Sequence, residues 1–553
     1  MTKADEIVPV GDQGALTRLL RWLERRADVW QSQCDRHYPV LLAMISTLYF
    51  STTSLLAMRK PMWNDELFTY FIVQATTPAS IWDALYTGAD QNPYPFYLLT
   101  RLSLAVFGVS EWALRFPEMV GVWMAAVCLF HLVKSRSSAL YGFAAMMCLL
   151  VTNAQFYSYE ARPYGLVLGF AAMAWGCWAV AAEGRGRPWS LIGVWGSLSA
   201  AVGSHYYAVF VFVPIGIAEC VRLYHNRRPD WSLWAAIVGG LLPLAFLWPL
   251  IQQARGYSRG FWATPSWKGI PDTYSTLLMP APLLFMLLLI SAGLVAYLQQ
   301  GGSARSPAPA LPAIPDHEWV AALAFAALPV IGVAVTLCTT GAFTPRYVLP
   351  TVLGISALVA LTLFRLCNGR ALLGVVGVAI AAVGFVMLTV RALPYTAASA
   401  VGPVAEFLTV STTDELPIVV SDPHNFMMLA HYAPRDLSSR LVYLADPEAS
   451  LRHMGHDTMD RGLVDLNPWF RMNVKESREF QQSCGRFVLY VHGGFLGGPL
   501  ANGLSVPDFN WLLSDLILRE WHLELLRRKE NHLLFLVTRV PDEGQKVRRM
   551  VQP

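Results

Sequence analysis

Apolar runs of membrane-spanning length recur through the first 391 residues, and no other feature constrains the chain as much. They lie near 39–58, 117–133, 139–156, 165–182, 189–204, 207–221, 233–252, 277–298, 319–338, 347–364 and 371–390, most of them about 17 to 22 residues, the length of a helix that crosses a bilayer. With 54% hydrophobic and 14% charged residues, the composition is far from the roughly 25% charge of soluble proteins. An ordinary soluble enzyme is excluded. A net charge of +4 over 553 residues also excludes a nucleic-acid partner, and the apolar content excludes a disordered chain.

The charges are unevenly spread. Of the 42 Lys and Arg and 38 Asp and Glu, residues 392–553 hold 35, about 22% of that stretch against about 12% before it. The expectation is a cytoplasmic N-terminal segment (1–37), a membrane domain (38–391) with a large external loop 1 (59–117), and a water-soluble domain (392–553). The eight cysteines offer no disulfide framework or CxxC metal site: Cys128, Cys148, Cys177 and Cys220 lie in apolar runs and Cys484 stands alone.

Charge also sets the topology. In the leader, Leu16, Leu19, Leu20, Leu23 and Ala27 recur at helical spacing among Arg18, Arg21, Arg25 and Arg26, an amphipathic pattern suited to an anionic membrane face. A plain positively charged anchor gives the same orientation, with the N-terminus cytoplasmic and the first run an uncleaved signal anchor. Alternation over eleven spans then turns Lys134/Arg136, Arg185/Arg187, Arg222/Arg227/Arg228, Arg305 and Arg365/Arg370 to the cytoplasm and leaves the tail outside. Pro93–Gly108 carries Arg101 at its middle, and counting it as a span would reverse every later basic turn. It is expected as a helix on or dipping into the outer surface. Gly301–Pro315 is a Pro/Ala-rich linker. The tail alternates strands (417–421, 441–444, 487–491, 532–537) with helices (426–432, 511–526), a small α/β domain.

Polar groups beside lipid need a reason, and here they gather at the outer ends of the spans. Asp65 and Glu66, Asp90, Arg115 and Glu118, Glu160 and Arg162, His205 with Tyr206 and Tyr207, Arg255, Arg259 and Lys268, and Arg346 all fall there. Such a face suits a substrate with a lipid tail and an anionic sugar-phosphate head. Arginines hold phosphate through a fork, aromatics such as Tyr94, Tyr97, Tyr164, Trp262 and Trp267 cover sugar faces, and a carboxylate takes a proton from an acceptor hydroxyl. No nucleotide motif is present.

The residues also carry a resemblance. An Asp65-Glu66 pair after the first span, Asp90-Gln-Asn92-Pro93 leading to Tyr97, Phe107-Gly108 through Ser110-Glu111 to Arg115 and Pro117, Tyr157 through Glu160-Ala-Arg162-Pro-Tyr164, and Arg346-Tyr347 through Leu349-Pro350 together resemble the GT-C superfamily of polyprenyl-phosphate-dependent glycosyltransferases. The likeness covers roughly residues 38–390 and is nearest to family 39 protein mannosyltransferases, the lipid A aminoarabinose transferase and the rhizobial core-sugar transferases. It implies a GT-C-like helical membrane protein with a periplasmic α/β domain in the bacterial inner membrane. It also implies inverting transfer from undecaprenyl phosphate or a similar lipid to a glycan, lipid or protein acceptor. By position, Asp65 matches the catalytic base, with Glu66 beside it. Arg162 and Arg346 would hold the donor phosphate, Lys60 and Lys268 less strongly, and Asp90, Asn92, Tyr94, Tyr97, Glu160, Tyr164, His205 and Tyr206 would line the substrate site.

The chain departs from its relatives where they often carry His-Pro-Pro, having Asn92-Pro93-Tyr94 instead. No cofactor is assigned with certainty, and a divalent metal, magnesium or manganese, stays open between Asp65 and Asp90. Bland readings stand beside these: a snorkelling Glu160–Arg162 pair, an interfacial belt for His205 and its tyrosines, and a helix-capping Asp422 ahead of His424. A lipid-sugar flippase would show repeated halves and midplane charges, which the sequence lacks. A non-catalytic scaffold would tolerate loss of Asp65.

Overall fold

The computed structural model describes residues 13–257, 260–281, 311–412, 416–470, 472–492 and 511–539. The side chains of residues 13–17, 20 and 21 also lie outside it, so the expected leader stripe is covered only in part. Arg259, Arg305, residues 301–310 of the linker and most of the 277–298 run fall outside the described residues.

The chain enters through a long helix, α1 (Gln13–Arg59), broken in φ/ψ at His37, just before Pro39. Proline removes an amide donor and clashes with the preceding turn, so a kink belongs there. Loop 1 folds into α2 (Asn64–Val73), α3 (Pro78–Tyr86) and α4 (Tyr94–Phe107) before α5 (Glu111–Lys134) returns through the apolar layer. The segment with Arg101 at its middle is thus a helix of 14 residues, about 21 Å long and too short to span. The arginine has a local use: it donates to the carbonyls of Val73 at 3.3 Å, Thr76 at 3.2 Å and Ala75, closing the C-terminal end of α2.

Among the described residues, five helices are long and apolar enough to cross a membrane, or seven if two bent pairs each count as one span. The pairs Trp231–Phe246 with Trp248–Arg255 and Asp316–Ala326 with Leu328–Cys338 bend by 69° and 60°, at Pro249 and Pro329, which open the second helices. Two further expected runs are shorter helices, α6 (Ala139–Leu150) and Thr351–Leu366. The first is followed by a short α7 (Ala154–Tyr157) and then by α8 (Tyr164–Ala182).

Helices α5 and α8 meet at glycines. A methyl group on Gly121 would lie 2.5 Å from the Gly165 carbonyl oxygen, so only glycine permits the close backbone approach that small residues give packed membrane helices. The same crossing lets buried Glu118 accept the Leu166 N–H at 2.8 Å. It thereby fixes the turn Tyr157–Tyr164 ahead of α8.

Residues 418–538 carry a six-stranded sheet of order β3-β2-β1-β4-β6-β5, with β1 (Ile418–Val420), β2 (Leu441–Ala445), β3 (Val474–Glu476), β4 (Arg486–His492), β5 (His522–Lys529) and β6 (His532–Thr538). The first four pair in parallel, and β6 runs antiparallel to both β4 and β5. The expected helix 511–526 is corrected here: it stops at Leu518 and gives way to β5. A register shift between Leu525 and Arg527 breaks the two-residue alternation, so HLELLRRK reads as helical in sequence although the edge of β6 takes it as a strand. Asp422 caps the helix Pro423–Tyr432, accepting the Asn425 N–H at 2.8 Å.

The two faces of the sheet bury different things. One covers Val419, Val442, Leu489 and Trp511. The other contributes Ile418, Leu441, Tyr443 and Tyr490 to a core that also holds Met62, Leu67, Phe68, Ile72 and Leu114. The sheet region and loop 1 therefore share one hydrophobic core.

Candidate active site

The turn that opens α2 carries two carboxylates with opposite fates. Glu66 is fully buried and every bond points inward: it accepts from Lys60 Nζ at 2.9 Å, from Arg115 Nε at 2.6 Å and Nη2 at 2.8 Å, and from the Ala161 N–H at 2.8 Å. Burial would raise its pKa, but the Arg115 guanidinium and the Lys60 ammonium hold the carboxyl below the ordinary carboxylate range. Arg115 also donates to the carbonyls of Ala57 and Lys60 at 2.6 and 2.7 Å. Glu66 thus ties α1, α2, α5 and the 157–164 turn together.

Asp65, one residue earlier, faces the other way, with its side chain 18% exposed. Its Oδ1 accepts from Asn64 Nδ2 at 3.0 Å and its Oδ2 from Arg346 Nη1 at 3.2 Å. Arg346 sits in the 3-10 turn Pro345–Val348, its guanidinium 5.5 Å from the ring centroid of Tyr164.

Arg162 joins the two acidic stretches of loop 1. It grips Asp90 through Nη1 at 2.6 Å and Nη2 at 3.3 Å, and donates to the Asp65 carbonyl at 3.2 Å and Thr69 Oγ1 at 3.3 Å. Asp90 accepts further from Tyr97 at 2.5 Å, Asn92 at 3.2 Å and the Gln91 N–H at 2.7 Å. Against the effect of burial, Arg162 and these donors hold its carboxyl below the usual range. The Glu160–Arg162 ion pair, the bland reading of these residues, does not form: Arg162 takes Asp90 instead.

Glu160 is the contrasting case. It is buried beside Lys60, Glu66, Arg346 and Asp65, yet neither carboxylate oxygen has a hydrogen-bond partner. Burial, with Glu66 and Asp65 adding to it against Lys60 and Arg346, pushes the carboxyl up to about 7. Other buried polar atoms around the site are likewise unpartnered: Trp63 Nε1, Arg162 Nε, the Tyr206 hydroxyl and Arg346 Nε. Buried polar groups are ordinarily paired, and here several exceptions lie close together.

An aromatic wall completes the site. His205 packs against Tyr164 and Tyr347 with ring centroids 5.3 and 5.1 Å apart, and its Nδ1 accepts the Tyr207 N–H at 3.2 Å. Burial, reinforced by Arg162 and Arg346, lowers its pKa to about 3, so the imidazole is neutral. Tyr157 and Tyr347, absent from the sequence-based set, belong to this wall: Tyr157 meets Tyr164 at 5.3 Å and Tyr347 stacks on Tyr207 at 4.2 Å. Their place next to Glu160 and Arg346 in sequence was the available signal.

Not every expected residue joins the cluster. Tyr94 turns away, donating to the Pro78 carbonyl at 3.1 Å and meeting Trp82 edge-on. Lys60 is committed to Glu66 and the Phe156 ring, and Lys268 is exposed with no side-chain tie to the cluster. The Asp65–Asp90 pair does not fit a divalent cation. Asp90 is filled by N–H, guanidinium and hydroxyl donors, the Asp65 carboxylate is tied to the Asn64 amide and the Arg346 guanidinium, Arg162 stands between the two, and no group of three or more His, Cys, Asp or Glu among the described residues is arranged to hold a metal.

The family described as dolichyl-phosphate-mannose-protein mannosyltransferase matches residues 90–253. The chain is similar to the crystal structure of ArnT from Cupriavidus metallidurans in the apo state, with a TM-score of 0.53 at 12% identity, covering 91% of this chain and 98% of that one. The chain has the GT-C fold. The same ArnT bound to undecaprenyl phosphate aligns with a TM-score of 0.51 at 12% identity, over 90% of this chain and 98% of the other. No curated protein matches. Within the GT-C fold, the 90–253 match begins at Asp90 and contains Glu160, Arg162 and His205, whereas Asp65 and Arg346 lie outside it.

Proposed function

We propose that the protein is an inverting membrane glycosyltransferase. It moves a sugar from a polyprenyl-phosphate donor to an acceptor hydroxyl on the extracytoplasmic face of the inner membrane, with Asp65 as general base. The observation that carries this reading is the partly exposed Asp65–Arg346 pair set among buried polar atoms without partners. The undecaprenyl phosphate bound to ArnT supports the donor class, and a glycan, lipid or protein supplies the acceptor. On this reading residues 1–37 are cytoplasmic, 38–391 span the membrane, and 392–553 stand outside it.

Asp65 takes the proton of the acceptor hydroxyl, whose oxygen attacks the anomeric carbon. The bond from that carbon to the phosphate oxygen breaks on the opposite face, and the lipid phosphate leaves with the electron pair. Arg346, with its Nε free, meets the growing phosphate charge; a guanidinium does so through a planar fork and cannot lose its own proton. Arg162, already spent on Asp90, braces the α2 backbone and offers only its Nε. Glu66 acts through position, not contact. Tyr157, Tyr164, Tyr347 and neutral His205 give the sugar a flat, uncharged wall.

The test is release of polyprenyl phosphate from the polyprenyl-phosphate sugar pool extracted from host membranes, read by mass spectrometry. Asp65→Asn is expected to lose at least about 10²-fold in kcat, the general-base share of such reactions, while still binding undecaprenyl phosphate. Full activity in Asp65→Asn refutes the base.

A further inference from the structure

Among the described residues, the sheet region gives no side chain to the cluster around Asp65, yet it grips the segment that carries that residue. Tyr432, the last residue of the helix Pro423–Tyr432, accepts the Met62 N–H on its hydroxyl at 2.7 Å and donates to Glu111 Oε1. Met62 lies just ahead of α2. Glu111 is 3.7 Å from Arg115, the guanidinium that holds Glu66. A single hydroxyl therefore reaches the carboxylate turn by two routes, one through backbone and one through the chain Glu111–Arg115–Glu66.

A second contact lands on the same turn. Asn64 Nδ2 lies 3.4 Å from Met459 Sδ and 3.0 Å from Asp65 Oδ1. Further along α2, Tyr70 meets His431 at 5.2 Å between ring centroids, and Phe71 meets Phe470 at 6.0 Å. A methyl group on Gly462 would come within 3.3 Å of Phe68 Cζ. The shared core of loop 1 and the sheet makes these contacts continuous with well-packed interior.

We propose that the sheet region positions the general base, and that Tyr432 is the positioning residue: its hydroxyl fixes the entry of α2 and so aims the Asp65 carboxylate at the acceptor hydroxyl. The inference rests on the reading of Asp65 as base. Its physical ground is that misplacing a reacting group by about 1 Å costs roughly 10²-fold in rate, whereas one hydroxyl adds little to global stability. One hydrogen bond is small beside the shared core.

The experiment compares full-length Tyr432→Phe, Met459→Ala and Asp65→Asn in detergent, using the extracted polyprenyl-phosphate sugar pool for turnover and undecaprenyl phosphate alone for binding. Tyr432→Phe is expected to lose about tenfold in kcat per folded molecule with unchanged undecaprenyl phosphate affinity. Hydrogen exchange over residues 61–68 should rise while that of α5 and α8 stays put. Met459→Ala should shift both readouts the same way, by about threefold. In the Asp65→Asn background the Tyr432→Phe loss should vanish, since nothing remains to aim. Wild-type kcat and wild-type exchange in Tyr432→Phe, or a lower melting point with kcat per folded molecule unchanged, overturns the proposal. Full activity in Asp65→Asn instead overturns the base itself, whatever Tyr432→Phe does.

Discussion

Side chains that share one buried cluster differ here in how completely they are satisfied, and that difference separates support from chemistry. Glu66 and Asp90 are saturated and held below their ordinary range, so their contribution to stability is present above the unfolded carboxyl values near 4.5 and 3.8 and is lost as pH falls further. Glu160 has the opposite sign. Its carboxyl, pushed up to about 7, keeps a proton in the folded chain that an unfolded carboxyl has released, so its effect is to lower stability as pH rises from about 4.5 to about 7 and to stay flat above. Glu160→Gln removes that slope. Thermal unfolding at pH 5, 6, 7 and 8 is expected to show the variant gaining on wild type by about 2–3 kcal/mol across the window; parallel pH profiles for the two proteins exclude the assignment. The residue types of the site were legible in the sequence because charges and aromatics beside lipid are scarce. Their pairing was not: Glu160 and Arg162 are two residues apart, but the fold sends one guanidinium to Asp90, 72 positions away, and leaves the carboxylate alone.

At the scale of elements, the sequence was clearest where one rule acts and least clear where two compete. Arg101 alone kept α4 out of the span count, and the structure gives that arginine the open carbonyls at the end of α2. Strand β5 was misread because a local helical spacing competed with the free edge of β6, and a bulge concealed the strand period. The crossing of α5 and α8 was invisible in hydropathy, since glycine adds nothing to an apolar run, yet it places the 157–164 turn on the site. Gly121→Ala puts a methyl 2.5 Å from the Gly165 carbonyl, backbone that cannot rotate aside. The expected result is a destabilisation of about 1–3 kcal/mol from overpacking, with lower turnover as Arg162 and Tyr164 shift. Gly176→Ala, where a methyl meets nothing within 4 Å, is the control and should melt with the wild type. Equal melting of the two variants argues that the crossing does not set the site.

Across the whole molecule, the two ends of the helix bundle use charge differently. At the end away from loop 1, Arg222 donates to Glu219 at 2.9 and 2.7 Å and to Asp230 at 2.8 Å, Trp178 Nε1 donates to Glu219 at 3.1 Å, and Arg187 also reaches Asp230. Arg136 pairs there with Glu318 and Glu183. These are the turns whose basic residues suggested a cytoplasmic face, but their arginines are tied to acids that the hydropathy pattern did not bring forward. At the loop-1 end, Arg346 Nε, Arg162 Nε and both oxygens of Glu160 are left open. A closed network adds rigidity and specificity, whereas open atoms wait for a ligand. The contrast yields a reciprocal prediction. Glu219→Gln removes the charge of a fully buried carboxylate that holds Arg222, at a cost of about 3–5 kcal/mol where such a pair is broken, so the melting temperature should drop while kcat and undecaprenyl phosphate affinity per folded molecule stay at wild type. Arg346→Ala should invert the pattern, weakening undecaprenyl phosphate binding at least about tenfold while the melting temperature falls less than in Glu219→Gln, since among the described residues its side-chain ion pair is a single, partly exposed contact with Asp65 at 3.2 Å. If Glu219→Gln impairs binding as strongly as Arg346→Ala, the two ends are not functionally distinct and the ligand site does not belong to the loop-1 end alone.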